Sequence, residues 1–543
     1  MTEEPSRPAR PPPHPPFDLA VVGGTVFDGL GSPPRTDQTV AVRAGRITLL
    51  AAGSPADARR TVDASGRFVA PGFIDIHSHS DFAGLAFPLA QSKVLSGITT
   101  EINGNCGMSA FPLSPELRER RRAEYARSGV AIHWTDLAGY RTAAEGVGSS
   151  INRGLQVGHG NLRTSAMGYA ARPADAAERR TMRRLLEDAL AGGCLGMSSG
   201  LFYPPGTSAD ADELSDLARI VAVAGGFYSS HLRSEDDALL EAVDEFLAVV
   251  RAGGVRGQYS HVKTALPRNW PKIGPLRDRL FAARAEGLDF ACDRYPYTAL
   301  CTGLDSVLLP GWANEGGPSE ALRRLADPDG RRRIADAVRT LHPEPDFLDA
   351  VVIASVHGEE NLSAVGRTLR EWAALRGSDP LSAAFDLLVE EAGRVECIHF
   401  AMSEDNLVEI LGWPFTLIGS DHSVRAAVGA VRRGARPHPR AYGTPSRFLT
   451  DYVRGRRLMS WEEGIRRMTG ACAAAAGLSD RGVIRDGAAA DLVVFDPAAL
   501  TDRATYDEPR LPPTGIDLVV VNGEIVVERG THTGRRPGRI LTR

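Results

Sequence analysis

Twice in this chain an amphipathic helix pattern runs into a pair of glycines and then into a short strand. From Asp237 to Val250, the residues Leu239, Leu240, Val243, Phe246, Leu247 and Val250 recur at helical spacing. Gly253-Gly254 stops that run, and Gln258-Tyr259-Ser260-His261 follows as a strand. Likewise Met182 to Leu190 reads as helix, Gly192-Gly193 ends it, and Cys194 to Met197 reads as strand. Repeated units of this kind favour a parallel sheet closed by crossover helices. Strand candidates number eight, ending near His77, Asn103 to Cys106, His159, Met197 to Ser199, His231, His261, Asp293 and Asp421. Eight such units make an α/β chain folded as a (β/α)8, TIM-like barrel, whose active-site mouth lies at the C-terminal ends of the strands.

The rest of the chain divides around that barrel. Residues 1–16 hold Glu3, Glu4 and a proline-rich run from Pro11 to Pro16, which reads as a disordered tail and not as a signal peptide. Short β-branched runs follow, such as Thr39-Val40-Ala41-Val42 and Ile47-Thr48-Leu49-Leu50. The far end looks the same, with Asp491 to Phe495 as one strand and Leu518 to Val521, Asn522-Gly523 and Ile525 to Val527 as a hairpin. Neither end has enough strands for a sheet of its own, so residues 17–68 and 483–543 are expected to share one small β-sandwich domain. Residues 69–482 are then the barrel. Its last two strands are far apart, with Val351 to Val356, Val395 to Phe400 and a Gly/Pro-rich stretch from Pro310 to Pro318 between them. That interval, about residues 302–412, reads as an insertion over the barrel mouth, a common place for a lid.

Composition narrows the partners. A chain of 543 residues that is 43% hydrophobic can bury a large core. Its net charge of −4, with no basic block, argues against nucleic acid. No apolar run approaches the roughly 20 residues that span a bilayer, so no membrane partner is expected. The six cysteines are widely spread, which does not resemble a disulfide framework. A reduced, cytoplasmic chain acting on a small molecule is the expectation.

The reactive side chains gather on the strand count. In Pro71-Gly72-Phe73-Ile74-Asp75-Ile76-His77-Ser78-His79, the apolar run reads as a buried strand. His77 and His79 are one residue apart, so strand alternation would point them the same way at its end. Cys106 follows the second strand in Asn103-Gly104-Asn105-Cys106-Gly107. His231, His261 and Asp421 end the fifth, sixth and eighth strands. Four imidazoles, a thiolate and a carboxylate at one barrel face suit a zinc ion.

These residues sit in motifs that resemble the amidohydrolase superfamily, and within it the N-acyl-D-amino-acid deacylases, or D-aminoacylases. The resemblance runs from about Phe17 to Asp496. It is carried by the Pro71–His79 stretch, Gly104-Asn105-Cys106-Gly107, Val157-Gly158-His159-Gly160, Gly200-Leu201-Phe202-Tyr203-Pro204-Pro205, Ser230-His231-Leu232-Arg233, Ser260-His261-Val262-Lys263, Tyr295-Pro296-Tyr297, Gly419-Ser420-Asp421 and His438-Pro439-Arg440. Many amidohydrolases bridge two metals with a lysine on the fourth strand, but Gly192 to Tyr203 contains none. In D-aminoacylases a cysteine does that work, and Cys106 matches it.

The resemblance implies a tight zinc site of Cys106, His231 and His261, and a weaker second one of His77, His79 and Asp421. It implies zinc-dependent hydrolysis of the amide of an N-acyl-D-amino acid, the metal activating water and polarising the carbonyl. Asp421 would take the proton from that water and pass it to the departing amine. Cys106 as a nucleophile is the poorer assignment, because a zinc-bound thiolate attacks weakly. By motif position Tyr203, Lys263, Tyr295 and His159 line the substrate pocket, and Arg440 clamps the substrate carboxylate. Two departures touch that pocket. Cys301 stands where the family usually has a serine, and the arginine-rich segment His422 to Arg436 looks longer than usual. Two other readings therefore stand beside the first. One is the same chemistry on another amide, such as a cyclic imide, a ureide or a secondary-metabolite amide. The other is a non-catalytic binding relative, which would be expected to lose metal ligands.

Overall fold

The computed structural model describes residues 16–51, 56–426 and 435–543. The proline-rich tail, apart from Pro16, and the centre of the arginine-rich segment, 427–434, lie outside the described residues.

Eight parallel strands form the central sheet: β1 (Phe73–Asp75), β2 (Ile98–Asn103), β3 (Asn152–Gly158), β4 (Gly196–Gly200), β5 (Phe227–His231), β6 (Arg256–Tyr259), β7 (Phe290–Arg294) and β8 (Thr416–Ile418). Each pairs with its neighbour in sequence, from β1 to β8. Strands β1 to β5 are buried along their whole length, as expected for a sheet covered by helices on its outer face. The helices Ala176–Ala191, Ala211–Val223 and Leu239–Gly253 return the chain between them. Asp175 starts the first with a capping box, and Asp210 caps the second through the Glu213 amide. The glycine pairs end helices for a conformational reason. Gly193 and Gly254 adopt φ of 100° and 59°, where a side chain would be strained. The apolar stripe seen in the sequence is the buried face, with Leu239, Val243, Phe246, Leu247 and Val250 in the barrel's outer core.

The ring closes by a different kind of contact. Among the described residues β8 and β1 share no ladder; a single parallel bridge, Ser78 to His422, joins their extensions. The amide of Asp421 also donates to the His77 carbonyl at 2.8 Å. The sequence pattern places His77 and His79 on a regular strand, whereas β1 stops at Asp75, His77 lies on a bend and His79 follows the bridge residue Ser78 in irregular chain. Their positions are set by that bridge instead of by strand alternation.

Both chain ends contribute to one nine-stranded sheet. Leu492–Phe495 runs antiparallel to Phe68–Pro71, the strand that leads into β1, and carries Ile516–Val521 on its other edge. Asn522 and Gly523, with φ of 49° and 87°, make the tight turn of the last hairpin. The final residues leave this sheet, and Ile540–Leu541 pairs with β3 at Arg153 and Gly154. Between β7 and β8 a three-stranded antiparallel sheet of Leu300–Gly303, Glu396–His399 and Val351–Ser355 carries helices and a core of its own. Among the described residues no helix is long and apolar enough to cross a membrane.

Candidate metal centre

Cys106 lies at the centre of the cluster. Its Sγ is 3.3 Å from His77 Nε2 and 3.3 Å from His261 Nε2. His79 Nε2 is 3.0 Å from Asp421 Oδ1, and His77 Nε2 is 3.4 Å from the same oxygen. One donor atom each from His77, Cys106, His261 and Asp421 fall within 4.8 Å of one another. A second set, His231, Glu235 and His261, meets the same limit. The resemblance divides the ligands into Cys106-His231-His261 and His77-His79-Asp421; the geometry interleaves them, with the thiol between one histidine of each group.

Three of these residues hold backbone conformations that L-residues rarely adopt. Cys106, His261 and Asp421 have φ of 53°, 39° and 49°. Such left-handed residues cost of order 1–3 kcal/mol each and persist where surroundings hold them. Here each lies two or three residues past the end of its strand, and its side chain joins the donor cluster.

The charges explain why a divalent cation fits. Burial alone would push the Cys106 thiol up, but His77 and His261 outweigh it and hold the group well below the usual thiol range. Burial also opposes ionisation of Asp421, yet Arg440, His261, His77 and His79 keep its carboxyl well below the usual carboxylate range. A thiolate and a carboxylate, both buried, demand positive charge at their centre. His231 adds a further sign: both of its ring nitrogens are buried without a hydrogen-bond partner among the described residues. Soft sulfur, imidazole and carboxylate donors with unsatisfied buried nitrogens suit zinc.

Two carboxylates behind the donors were not assigned from the sequence. Asp293, at the end of β7, accepts from His77 Nδ1 at 3.0 Å, and thereby turns Nε2 toward Cys106. It also accepts from the His261 amide at 2.9 Å and from Gln258 Nε2 at 2.6 Å. Glu235 Oε1 lies 2.9 Å from His261 Nδ1 and takes the Lys263 ammonium. Ligand histidines commonly gain orientation and basicity from such partners. Asp293 could be suspected as a charged residue closing a buried strand. Glu235 gave no signal, because it sits in the acidic run Glu235-Asp236-Asp237 that precedes a helix.

The remaining expected pocket residues fall into two groups. Arg440 reaches the cluster, with Nη1 2.9 Å from Asp421 Oδ2 and its guanidinium 4.4 Å over the Tyr295 ring. Its Nη2 donates to the Cys301 carbonyl at 3.2 Å. Tyr203 packs its ring 4.8 Å from His231, and its hydroxyl is 3.3 Å from Thr302 Oγ1. Tyr295 is buried, and its hydroxyl has no partner among the described residues. Burial pushes the Cys301 thiol up to about 12, with Glu396 adding to the effect, so it is neutral. Lys263 is committed to Glu235 and lies 2.8 Å from His261 Nδ1.

His159 is outside the donor cluster. It starts the helix after β3, and its Nε2 is 2.7 Å from Glu213 Oε1. Arg163 donates to both oxygens of Glu213 at 2.7 and 2.6 Å. Burial disfavours the Glu213 charge, but the contacts with His159 and Arg163 outweigh it and pull the carboxyl down to about 2. A depressed carboxylate stabilises the fold above its unfolded pKa and loses that contribution as pH falls through its folded value. We expect about 3 kcal/mol to be lost between roughly pH 4.5 and pH 2 through this group. Urea midpoints measured down that range should fall less steeply for Glu213→Gln than for the parent.

A closed ring of parallel strands with thiolate, imidazole and carboxylate donors at its mouth defines a class, the metal-dependent barrel hydrolases. Residues 60–527 match the model of the amidohydrolase family, and the chain belongs to that family. It is 38% identical to the N-acyl-D-glutamate deacylase of Alcaligenes xylosoxydans xylosoxydans, over 97% of each chain. To the D-aminoacylase of the same organism it is 34% identical, over 97% of this chain and 98% of the other. Among solved structures it is similar to the N-acyl-D-glutamate deacylase of Bordetella bronchiseptica, complexed with zinc and a phosphonate inhibitor that mimics the tetrahedral intermediate. That match has a TM-score of 0.82 and 35% identity, over 97% of this chain and 100% of that one.

Proposed function

We propose that this chain hydrolyses the amide bond of N-acyl-D-amino acids, releasing a carboxylate and the free D-amino acid. The observation that carries the reading is the convergence of Cys106, His77, His261 and Asp421, from four separate strand ends, within 4.8 Å. Cys106, His231 and His261 would hold a zinc ion, and His77, His79 and Asp421 a weaker second one; bound there, the metal would supply Lewis acidity toward the amide carbonyl and lower the pKa of water.

The chain's own groups do the rest. Asp421 is ionised and faces two imidazoles, so it can take a proton from the attacking water and return it to the leaving nitrogen. Arg440 Nε is buried without a hydrogen-bond partner among the described residues, a donor left over for a substrate carboxylate. Stacking on Tyr295 fixes the plane of that guanidinium. The Tyr295 hydroxyl, unpartnered among the described residues, and the Tyr203 hydroxyl would donate to the oxygen on which negative charge develops. Cys301, neutral and partly buried, offers a weak donor where a serine would offer a strong one.

The test is a substrate panel run on zinc-loaded protein: N-acetyl amino acids in both enantiomers, with cyclic imides and ureides alongside. The expected result is turnover of D-substrates at least about 100-fold above their L-enantiomers, since misplacing the reacting carbon by an ångström costs about that much. Turnover confined to the cyclic amides would replace this reading with the other substrate class.

A further inference from the structure

Lys93 is the one lysine with no exposed side-chain surface among the described ion pairs, and nothing in the chemistry above employs it. It lies on the short helical turn Gln91–Val94, between β1 and β2. Its ammonium donates to Asp75 Oδ2 at 2.6 Å, to Ser420 Oγ at 2.7 Å and to the His422 carbonyl at 2.9 Å. An ammonium has three donors, and all three are used. One partner ends β1; the other two flank Asp421. Asp75 completes the link, accepting from the Ser420 amide at 2.8 Å and from its hydroxyl at 2.6 Å.

This knot occupies the seam where β8 and β1 have one backbone bridge in place of a ladder. It is also where His77 and His79 must meet Asp421. The same helical turn holds the chain beyond Asp421: Ser92 Oγ accepts from the Arg425 amide at 2.9 Å, and the Ser92 amide donates back to the Arg425 carbonyl at 3.2 Å. Elsewhere in the ring the register of neighbouring strands is set by backbone ladders. At this seam side chains supplement the single bridge and the Asp421 amide.

We infer that Lys93 is a positioning residue for the metal centre: by tying Asp75 to Ser420 and the His422 carbonyl, it fixes Asp421 against His77 and His79. The inference rests on the hydrolytic reading only in assuming that those three residues act together. A buried lysine kept merely to neutralise Asp75 would have no such reach.

Three variants separate the two roles. Lys93→Met keeps the stem and removes the ammonium. Ser420→Ala keeps the Lys93–Asp75 pair and removes the hydroxyl that ties both of them to the Asp421 segment, leaving the His422 carbonyl and the residue-420 amide as the remaining ties. The double variant Lys93→Met/Asp75→Asn removes both charges. Each is compared with the parent for kcat and KM on the best substrate of the panel, and for zinc affinity by chelator competition without substrate. We expect Lys93→Met to lose about 10–100-fold in kcat or in zinc affinity, the usual range for groups behind metal ligands, with KM changed less than about threefold. Ser420→Ala should fall in the same direction while melting near the parent. The double variant should recover thermal stability but not kcat, because methionine gives no donor to Ser420 or to the His422 carbonyl. Parental kcat and zinc affinity in Lys93→Met, or their full return in the double variant, would overturn the inference. If Lys93→Met does not fold, Lys93→Gln, which keeps a neutral donor but not the three-way ammonium, takes its place together with Ser420→Ala, and parental kcat and zinc affinity in both would overturn the inference. Should the parent act on no member of the panel, the functional reading fails while the zinc-affinity comparison still judges Lys93.

Discussion

Asp421→Asn is expected to keep its zinc and to lose about 10³-fold or more in kcat. Asparagine preserves the shape of the side chain and an acceptor oxygen toward His79, so the 3.0 Å contact can persist. Cys106, His77, His231 and His261 are untouched, and metal content should stay near that of the parent. What disappears is the basic oxygen. General acid–base catalysis contributes about 10²–10⁴-fold, and here one carboxylate serves both the removal of a proton from water and its delivery to the amine. Both steps fail together. The measurement is kcat with zinc stoichiometry on the same sample. Retention of more than a tenth of the activity would move the proton shuttle elsewhere, with Glu235 the next ionised carboxylate at the cluster.

Cys106→Ala is expected to lose metal and activity together, with zinc affinity down by more than about 100-fold. The sulfur stands 3.3 Å from two imidazole nitrogens that follow the ends of different strands. Removing it also removes the negative charge that faces His77 and His261. The backbone conformation, φ of 53°, is equally strained for alanine, so the loop itself should survive. Circular dichroism should match the parent while dialysed protein retains little zinc. A variant that remains stoichiometrically loaded would take Cys106 off the list of ligands.

The barrel was legible in the sequence because its signals are local. Helical spacing, glycine pairs and short buried runs each speak for a dozen residues at a time. The side chains that meet at the barrel mouth could be picked out because they stand near strand ends, in motifs that resemble a known family. The supporting shell could not, since its partners are remote in the chain: His77 and Asp293 are separated by 216 positions, Lys93 and Ser420 by 327. No periodicity reports such pairs. The left-handed conformations of Cys106, His261 and Asp421 were equally hidden, as none is the glycine that would announce one. His159 shows the opposite risk. Its motif position suggested the pocket, whereas its hydrogen-bond partner is a buried glutamate on another helix.

The claim beneath all of this is that side chains from separate strand ends share one divalent cation. Diffraction data collected on both sides of the zinc absorption edge, from crystals of protein purified without added chelator, test it directly. The expected result is an anomalous peak within about 2.0–2.3 Å of Cys106 Sγ and of imidazole nitrogens from His231 or His261. A difference map featureless at that point, from fully active protein, would contradict it.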